Sequence, residues 1–137
     1  MKETRRFVCG DDLVYCVVNF EPLKPHHVLV IPRRHVQRLS ELTPDEAHAL
    51  NVLVDRLVDI ISALHPNETP AIRVNHGRHK SQPHLHVHVL PSKGDLRDHI
   101  STFEGVPWRM RAEDDALTAM AEHLRAALAD ADIRREE

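Results

Sequence analysis

Residues 82–91 read Gln-Pro-His-Leu-His-Val-His-Val-Leu-Pro, so His84, His86 and His88 alternate with Leu85, Val87 and Val89. Imidazole changes charge near neutral pH, and its neutral nitrogen is both a nucleophile and a metal ligand. Three rings at alternate positions can hold a metal ion, move protons or attack an electrophile. The spacing also selects a backbone. Successive side chains of a strand point to opposite faces, which puts the three imidazoles on one side and the aliphatics on the other. A helix would scatter the same rings around its axis. We expect a strand over His84 to Leu90, its Leu/Val face buried and its histidine row facing a cleft.

Catalytic zinc is a rival for these residues, since three histidines and a water suit Zn²⁺. The chain has no His-Glu-x-x-His segment and few carboxylates near the row to orient ligands. No metal is therefore expected there. Beside Pro83, His84 also reads as a structural histidine. Taken alone, His27 reads as a strand-end histidine bonded to backbone, and Asn19 as a turn residue.

Other elements must position this row. Arg6 to Cys9 and Leu13 to Asn19 read as strands around a turn at Gly10-Asp11-Asp12. Pro22 and Pro25 make residues 21–25 a loop, because proline offers no ladder donor. His27 to Ile31 is a third strand, and its run Val28-Leu29-Val30-Ile31 suits a central position. Arg33-Arg34-His35 follows as a basic, solvated turn. Thr43-Pro44-Asp45-Glu46 starts a helix: Thr43 caps, Pro44 suits the first turn and Glu46 closes a capping box. Ala47, Leu50, Leu53, Leu57, Ile60 and Leu64 give that helix one apolar stripe, which His65-Pro66-Asn67 ends. Thr69 to Asn75 is a fourth strand, residues 76–81 a polar loop, and Ser92 to Pro107 an irregular excursion. From Ala112, an acidic entry and the stripe Leu117, Met120, Leu124, Leu128 predict a second helix over about 112–131, followed by a fraying tail. The order predicts one α+β domain over residues 1–137: an antiparallel five-stranded sheet with a long helix and a C-terminal helix packed on it.

Composition narrows the function classes. A net charge of −3 argues against broad nucleic-acid binding. Two cysteines, Cys9 and Cys16, are too few for a disulfide scaffold, so reduced thiols and a cytoplasmic setting are expected. No apolar segment follows Met1-Lys2-Glu3-Thr4-Arg5-Arg6 and no run reaches a membrane span, so neither secretion nor membrane insertion is expected. Of the 12 histidines, His35, His48, His65, His76, His79, His99 and His123 belong to no constellation and read as surface or capping residues.

The run His84-Leu85-His86-Val87-His88-Val89-Leu90 resembles the signature of the histidine triad (HIT) family. Upstream, Asn19, Pro22 and His26-His27-Val28-Leu29-Val30-Ile31-Pro32-Arg33-Arg34-His35 resemble that family's strand before the helix. The motif region covers residues 13–91. Trp108-Arg109 and the Ala/Leu-rich helix that follows look more like the fragile-histidine-triad branch. The resemblance implies an α+β homodimer that cleaves nucleotides at an α-phosphate through a nucleotidyl-histidine intermediate, with diadenosine polyphosphates as substrates. Nucleoside phosphoramidate or AMP-lysine hydrolysis, and nucleotide sensing without turnover, are the alternatives. It implies His86 as nucleophile, His84 orienting it through backbone, and His88 and His27 on phosphate oxygens and the leaving group. Asn19 falls at the ribose position; Asn75, Lys80 and Ser81 fall near the phosphates, with Arg78 adding charge. No cofactor is required, although Mg²⁺ can travel with a polyphosphate.

The chemistry agrees with that assignment. A phosphoanhydride repels anionic nucleophiles, whereas a neutral imidazole attacks without that penalty, splitting one hard displacement into two. Neighbouring rings supply the other protonation state near pH 7. The chain departs from the family where His26 replaces the usual Gly or Thr and Lys80 the usual Gln. It also lacks the Cys-x-x-Cys of zinc-holding relatives.

Overall fold

The computed structural model describes residues 5–74, 84–92 and 112–136. Expectations for Asn75, His76, Arg78, His79, Lys80, Ser81, His99, Trp108 and the excursion up to Pro107 fall outside these residues, apart from Ser92.

Strands β1 (Phe7–Gly10) and β2 (Val14–Val18) form a hairpin. Asp11 shapes its turn: the carboxylate accepts the N–H groups of Leu13 (2.8 Å) and Val14 (2.9 Å), which hold its pKa below the usual value. Gly10 faces Tyr15 so closely that an added Cβ would sit 2.7 Å from the Tyr15 Cβ, leaving room only for glycine. Strand β3 (Val28–Pro32) pairs with β2, then β5 (Val87–Ser92) with β3 and β4 (Thr69–Val74) with β5. The sheet is antiparallel in the order β1-β2-β3-β5-β4. Cys9 and Cys16 are directly opposed, and both are free thiols.

Helix α1 (Pro44–Leu64) begins with the expected capping box: Thr43 Oγ1 accepts the Glu46 N–H, and the Glu46 carboxylate accepts the Thr43 N–H. Removing the hydroxyl in Thr43→Ala is expected to cost about 1 kcal/mol, read as a lower urea midpoint at unchanged slope. Leu50, Leu53, Leu57 and Ile60 are buried, joined by Val54 and Ile61, so the buried arc is wider than the expected stripe. They pack with Val14, Cys16, Val28, Val30, Val87 and Val89. Helix α2 (Asp114–Glu136) adds Leu117, Ala121, Leu124 and Leu128 to that core and lies against β1 and β2. It continues past residue 131 instead of fraying, because Ala, Arg and Glu favour helix in that stretch. Among the described residues, no helix is long and apolar enough to cross a membrane.

The histidine segment differs from expectation in its limits. Ladder pairing begins at Val87, opposite Val30 of β3 and Val74 of β4. Before Val87 the chain pairs elsewhere: the Leu85 N–H donates to the Val36 carbonyl at 2.7 Å. His84, Leu85 and His86 therefore form a lead-in to the strand, and only His88 lies within it. At the other end β5 continues through Pro91 and Ser92, paired with Pro70 and Thr69.

Candidate active site

Alternation on β5 sends Val87 and Val89 into the helix-covered core and leaves His88 on the opposite face. His88 is flanked across the ladder by Leu29 on β3 and Arg73 on β4. His27, the residue before β3, reaches the same place, with its Nε2 2.9 Å from His88 Nδ1. The rings of His86 and His88 are 5.0 Å apart, edge to face. His27, His86, His88 and Asn19 are all buried. Four predicted residues thus converge.

Backbone contacts fix where the protons sit. The Leu23 N–H donates to His27 Nδ1 at 3.1 Å, so neutral His27 carries its proton on Nε2. That proton points to His88 Nδ1, which accepts it and leaves the His88 proton on Nε2. His86 has the opposite tautomer. Its Nδ1–H donates to the His84 carbonyl at 2.9 Å, because a carbonyl only accepts, and the Nε2 lone pair remains. Two adjacent rings therefore present one nucleophilic nitrogen and one N–H donor. Asn19 turns its amide oxygen to the Glu21 N–H (3.0 Å), and its amide nitrogen lies 3.3 Å from His27 Nε2.

The ring of His84 does not join the row. It sits against Arg34 and His35, its Nε2 donating to the Arg34 carbonyl at 3.2 Å and its centroid 4.9 Å from that of His35. His84 meets His86 through its carbonyl. Arg34, expected on a solvated turn, is tied down instead. Its guanidinium donates to both Glu46 carboxylate oxygens (2.8 to 3.3 Å) and to the Glu41 carbonyl (2.7 Å). The Arg34 bond, followed by the Thr43 N–H, holds the Glu46 carboxyl down to about 2. This lowered value adds stability above the usual carboxylate pKa, and that stability is lost as pH falls toward 2. The capping box of α1 is thus linked through Arg34 and His84 to the orientation of His86.

Arg73 was absent from the expected site. Only the register that places it beside His88 reveals it. A cation on this face attracts phosphate, so Arg73→Gln is expected to raise KM about five-fold with little change in kcat, an effect that weakens with added salt. Among the described residues, no group of three or more His, Cys, Asp or Glu side chains is arranged to hold a metal ion.

A five-stranded antiparallel sheet carrying paired histidines at its centre, with both helices on the opposite face, is a histidine triad architecture. The HIT domain model matches residues 2–95, and the chain belongs to that family. It is 38% identical over 94 residues to the bifunctional bis(5'-adenosyl)-triphosphatase/adenylylsulfatase FHIT of Arabidopsis thaliana, covering 67% of this chain and 52% of that one. It is 40% identical over 96 residues to the asymmetrical bis(5'-nucleosyl)-tetraphosphatase of Schizosaccharomyces pombe, covering 64% and 53% respectively. The chain spans about half the length of both relatives. Among solved structures, Plasmodium falciparum diadenosine triphosphate hydrolase superposes with a TM-score of 0.75 at 18% identity, covering 94% of this chain and 80% of that one.

Proposed function

We propose that this protein hydrolyses dinucleoside polyphosphates by transferring a nucleotidyl group to His86. One observation carries the reading: the Nε2 lone pair of His86 stands beside a His88 ring whose proton is on Nε2. The names of the relatives supply the substrate class.

In the first step the His86 Nε2 lone pair forms a bond to the α-phosphorus. The bond from that phosphorus to the bridging oxygen breaks, and the phosphate chain departs as an anion, its new terminal oxygen accepting a hydrogen bond from the His88 Nε2–H. In the second step a water oxygen attacks the same phosphorus, its proton passing to solvent. The phosphorus–nitrogen bond breaks, releasing the nucleotide and restoring His86. His88 and His27 act as a pair: the His27 Nε2–H bonded to His88 Nδ1 keeps the His88 proton on Nε2, where it can donate to the leaving oxygen. Asn19 is assigned to a ribose hydroxyl, and Arg73 to the phosphates. Asn75, Lys80 and Ser81 are assigned to the phosphate chain from the family pattern. His84 acts through its carbonyl. The scheme routes no step through a metal, and Mg²⁺ enters only with the polyphosphate. The same proposal includes a homodimer, read as a solution mass twice 15.7 kDa, and a cytoplasmic setting.

A hydrolysis panel tests it, using diadenosine triphosphate, diadenosine tetraphosphate, adenosine phosphoramidate and an adenylylated lysine. The expected result is fastest release of AMP from a dinucleotide. Faster cleavage of the phosphoramidate or the lysine adduct moves the assignment to phosphoramidate hydrolysis. Tight binding of all four without turnover makes the protein a sensor.

A further inference from the structure

His26, one residue before His27, has a φ of +67°, a left-handed backbone that few residues other than glycine adopt. A histidine held there needs compensating contacts, and its side chain makes two. His26 Nδ1 lies 2.8 Å from Nε2 of His65, the C-cap of α1, and His26 Nε2 lies 3.0 Å from Nδ1 of His123 on α2. Its backbone N–H points at Met120 Sδ, also on α2. His26 is buried, His65 half-buried and His123 exposed. Beyond His65 Nδ1 stands Glu68 Oε1 at 3.9 Å, and Glu68 is paired with Lys24 of the loop leading to His26. His65 and His123, expected as surface or capping residues outside any constellation, thus belong to a second histidine cluster, with His65 also the C-cap of α1.

We propose that His26, His65 and His123 form a proton-sharing clasp that positions His27, accepts one extra proton, and opens on the second. This rests on the reading of His27 as part of the reaction site. The proton count follows from the geometry. Three imidazoles have six nitrogens, four of which face one another in two pairs. Each facing pair holds one hydrogen. The two outward nitrogens, His65 Nδ1 and His123 Nε2, hold one each, making four in all. Three neutral rings supply three of these, so one added proton fits without breaking a contact. Glu68 offsets its charge at the His65 end. A fifth hydrogen must enter a facing pair, turning N–H···N into N–H···H–N, and that pair parts.

The titratable or charged groups facing the clasp among the described residues are His65, Glu68 and Lys24 on the α1 side and His123 on α2. Burial first, then His65 and His123, lowers His26 from 6.5 to about 4, so the central ring resists taking the extra proton. A base held below its unfolded value adds stability that is present above about pH 6.5 and lost toward about pH 4. Opening reaches the site directly. The His27 N–H donates to the Lys24 carbonyl, and the His27 carbonyl accepts the Asn19 N–H, so a change at His26 turns both His27 and Asn19.

Two variants and one measurement independent of turnover test the clasp. His26→Gly removes its centre while suiting the left-handed backbone. It is expected to lower kcat about ten-fold near pH 7.5 with KM changed less than about two-fold. His123→Asn keeps a donor at the Nδ1 position but cannot titrate. The native protein is expected to lose activity between about pH 6.5 and pH 5, and His123→Asn to retain more of kcat than His26→Gly and to lose most of that acid-side fall. In the native protein, amide exchange across α2, corrected for intrinsic rate, is expected to accelerate about ten-fold near pH 5 relative to pH 7.5, and this acceleration should shrink in His123→Asn. The proposal is overturned if native α2 exchange is the same at both pH values, or if His26→Gly lowers the melting temperature and leaves kcat unchanged. Failure of the native protein to hydrolyse any substrate counts against the proposed activity instead, and the exchange experiment then decides the clasp alone.

Discussion

His86→Ala is expected to slow diadenosine triphosphate hydrolysis by about 10⁴-fold or more while leaving the dissociation constant of a non-hydrolysable analogue within about three-fold. The reason is the tautomer. His86 is the ring whose Nδ1–H is committed to a carbonyl and whose Nε2 is left with the lone pair. His88, beside it, carries its proton on the nitrogen that would have to attack. No neighbouring ring can take over without exchanging its hydrogen-bond partner, and the proposed binding contacts, Asn19 and Arg73, are left in place. A companion measurement looks for the intermediate: native protein quenched in alkaline denaturant, which preserves a phosphorus–nitrogen bond, should show a nucleotidyl mass on the peptide containing His86. Turnover of the alanine variant within ten-fold of native would sink the assignment of the nucleophile.

The second large effect is expected at His27, which is fully buried. His27→Ala removes the donor to His88 Nδ1 and the acceptor of the Leu23 N–H together. Leaving the Leu23 N–H unsatisfied, with a cavity where the ring was, should cost about 2 to 3 kcal/mol of stability, seen in urea melts. With His88 no longer held in one tautomer, kcat should fall about 10² to 10³-fold. The two losses separate in His27→Gln, which refills part of the space but cannot hold both bonds: stability should recover more than kcat. Equal recovery of both would make His27 a packing residue.

Features encoded within a few residues were legible in the sequence. The capping box needs only Thr43 and Glu46, three positions apart, and the hairpin turn needs only Asp11 and its next neighbours. The five strands and both helices follow from such local signals. Other features depend on parts of the chain brought together by folding. The start of β5 is set by where β3 stops pairing and by the Val36 carbonyl, so alternation alone began the strand at His84, three residues before the ladder does. The convergence of His27 with the triad was visible through family resemblance, whereas periodicity alone left His27 a strand-end residue. Arg73 becomes part of the site only once register places it beside His88. The His26 clasp closes over separations of 39 and 97 residues, beyond any local pattern. Its one local clue was a histidine where the family has Gly or Thr.

Strand β4 forms one margin of the sheet, and its Ile72 is 53% exposed. An apolar margin of this kind invites runaway stacking of foreign or misfolded chains. Pro70, near one end of that strand, has no amide hydrogen to offer an intruder. Farther along, Arg73 puts a charge in the path. The strand thus carries its own gatekeepers against that kind of stacking.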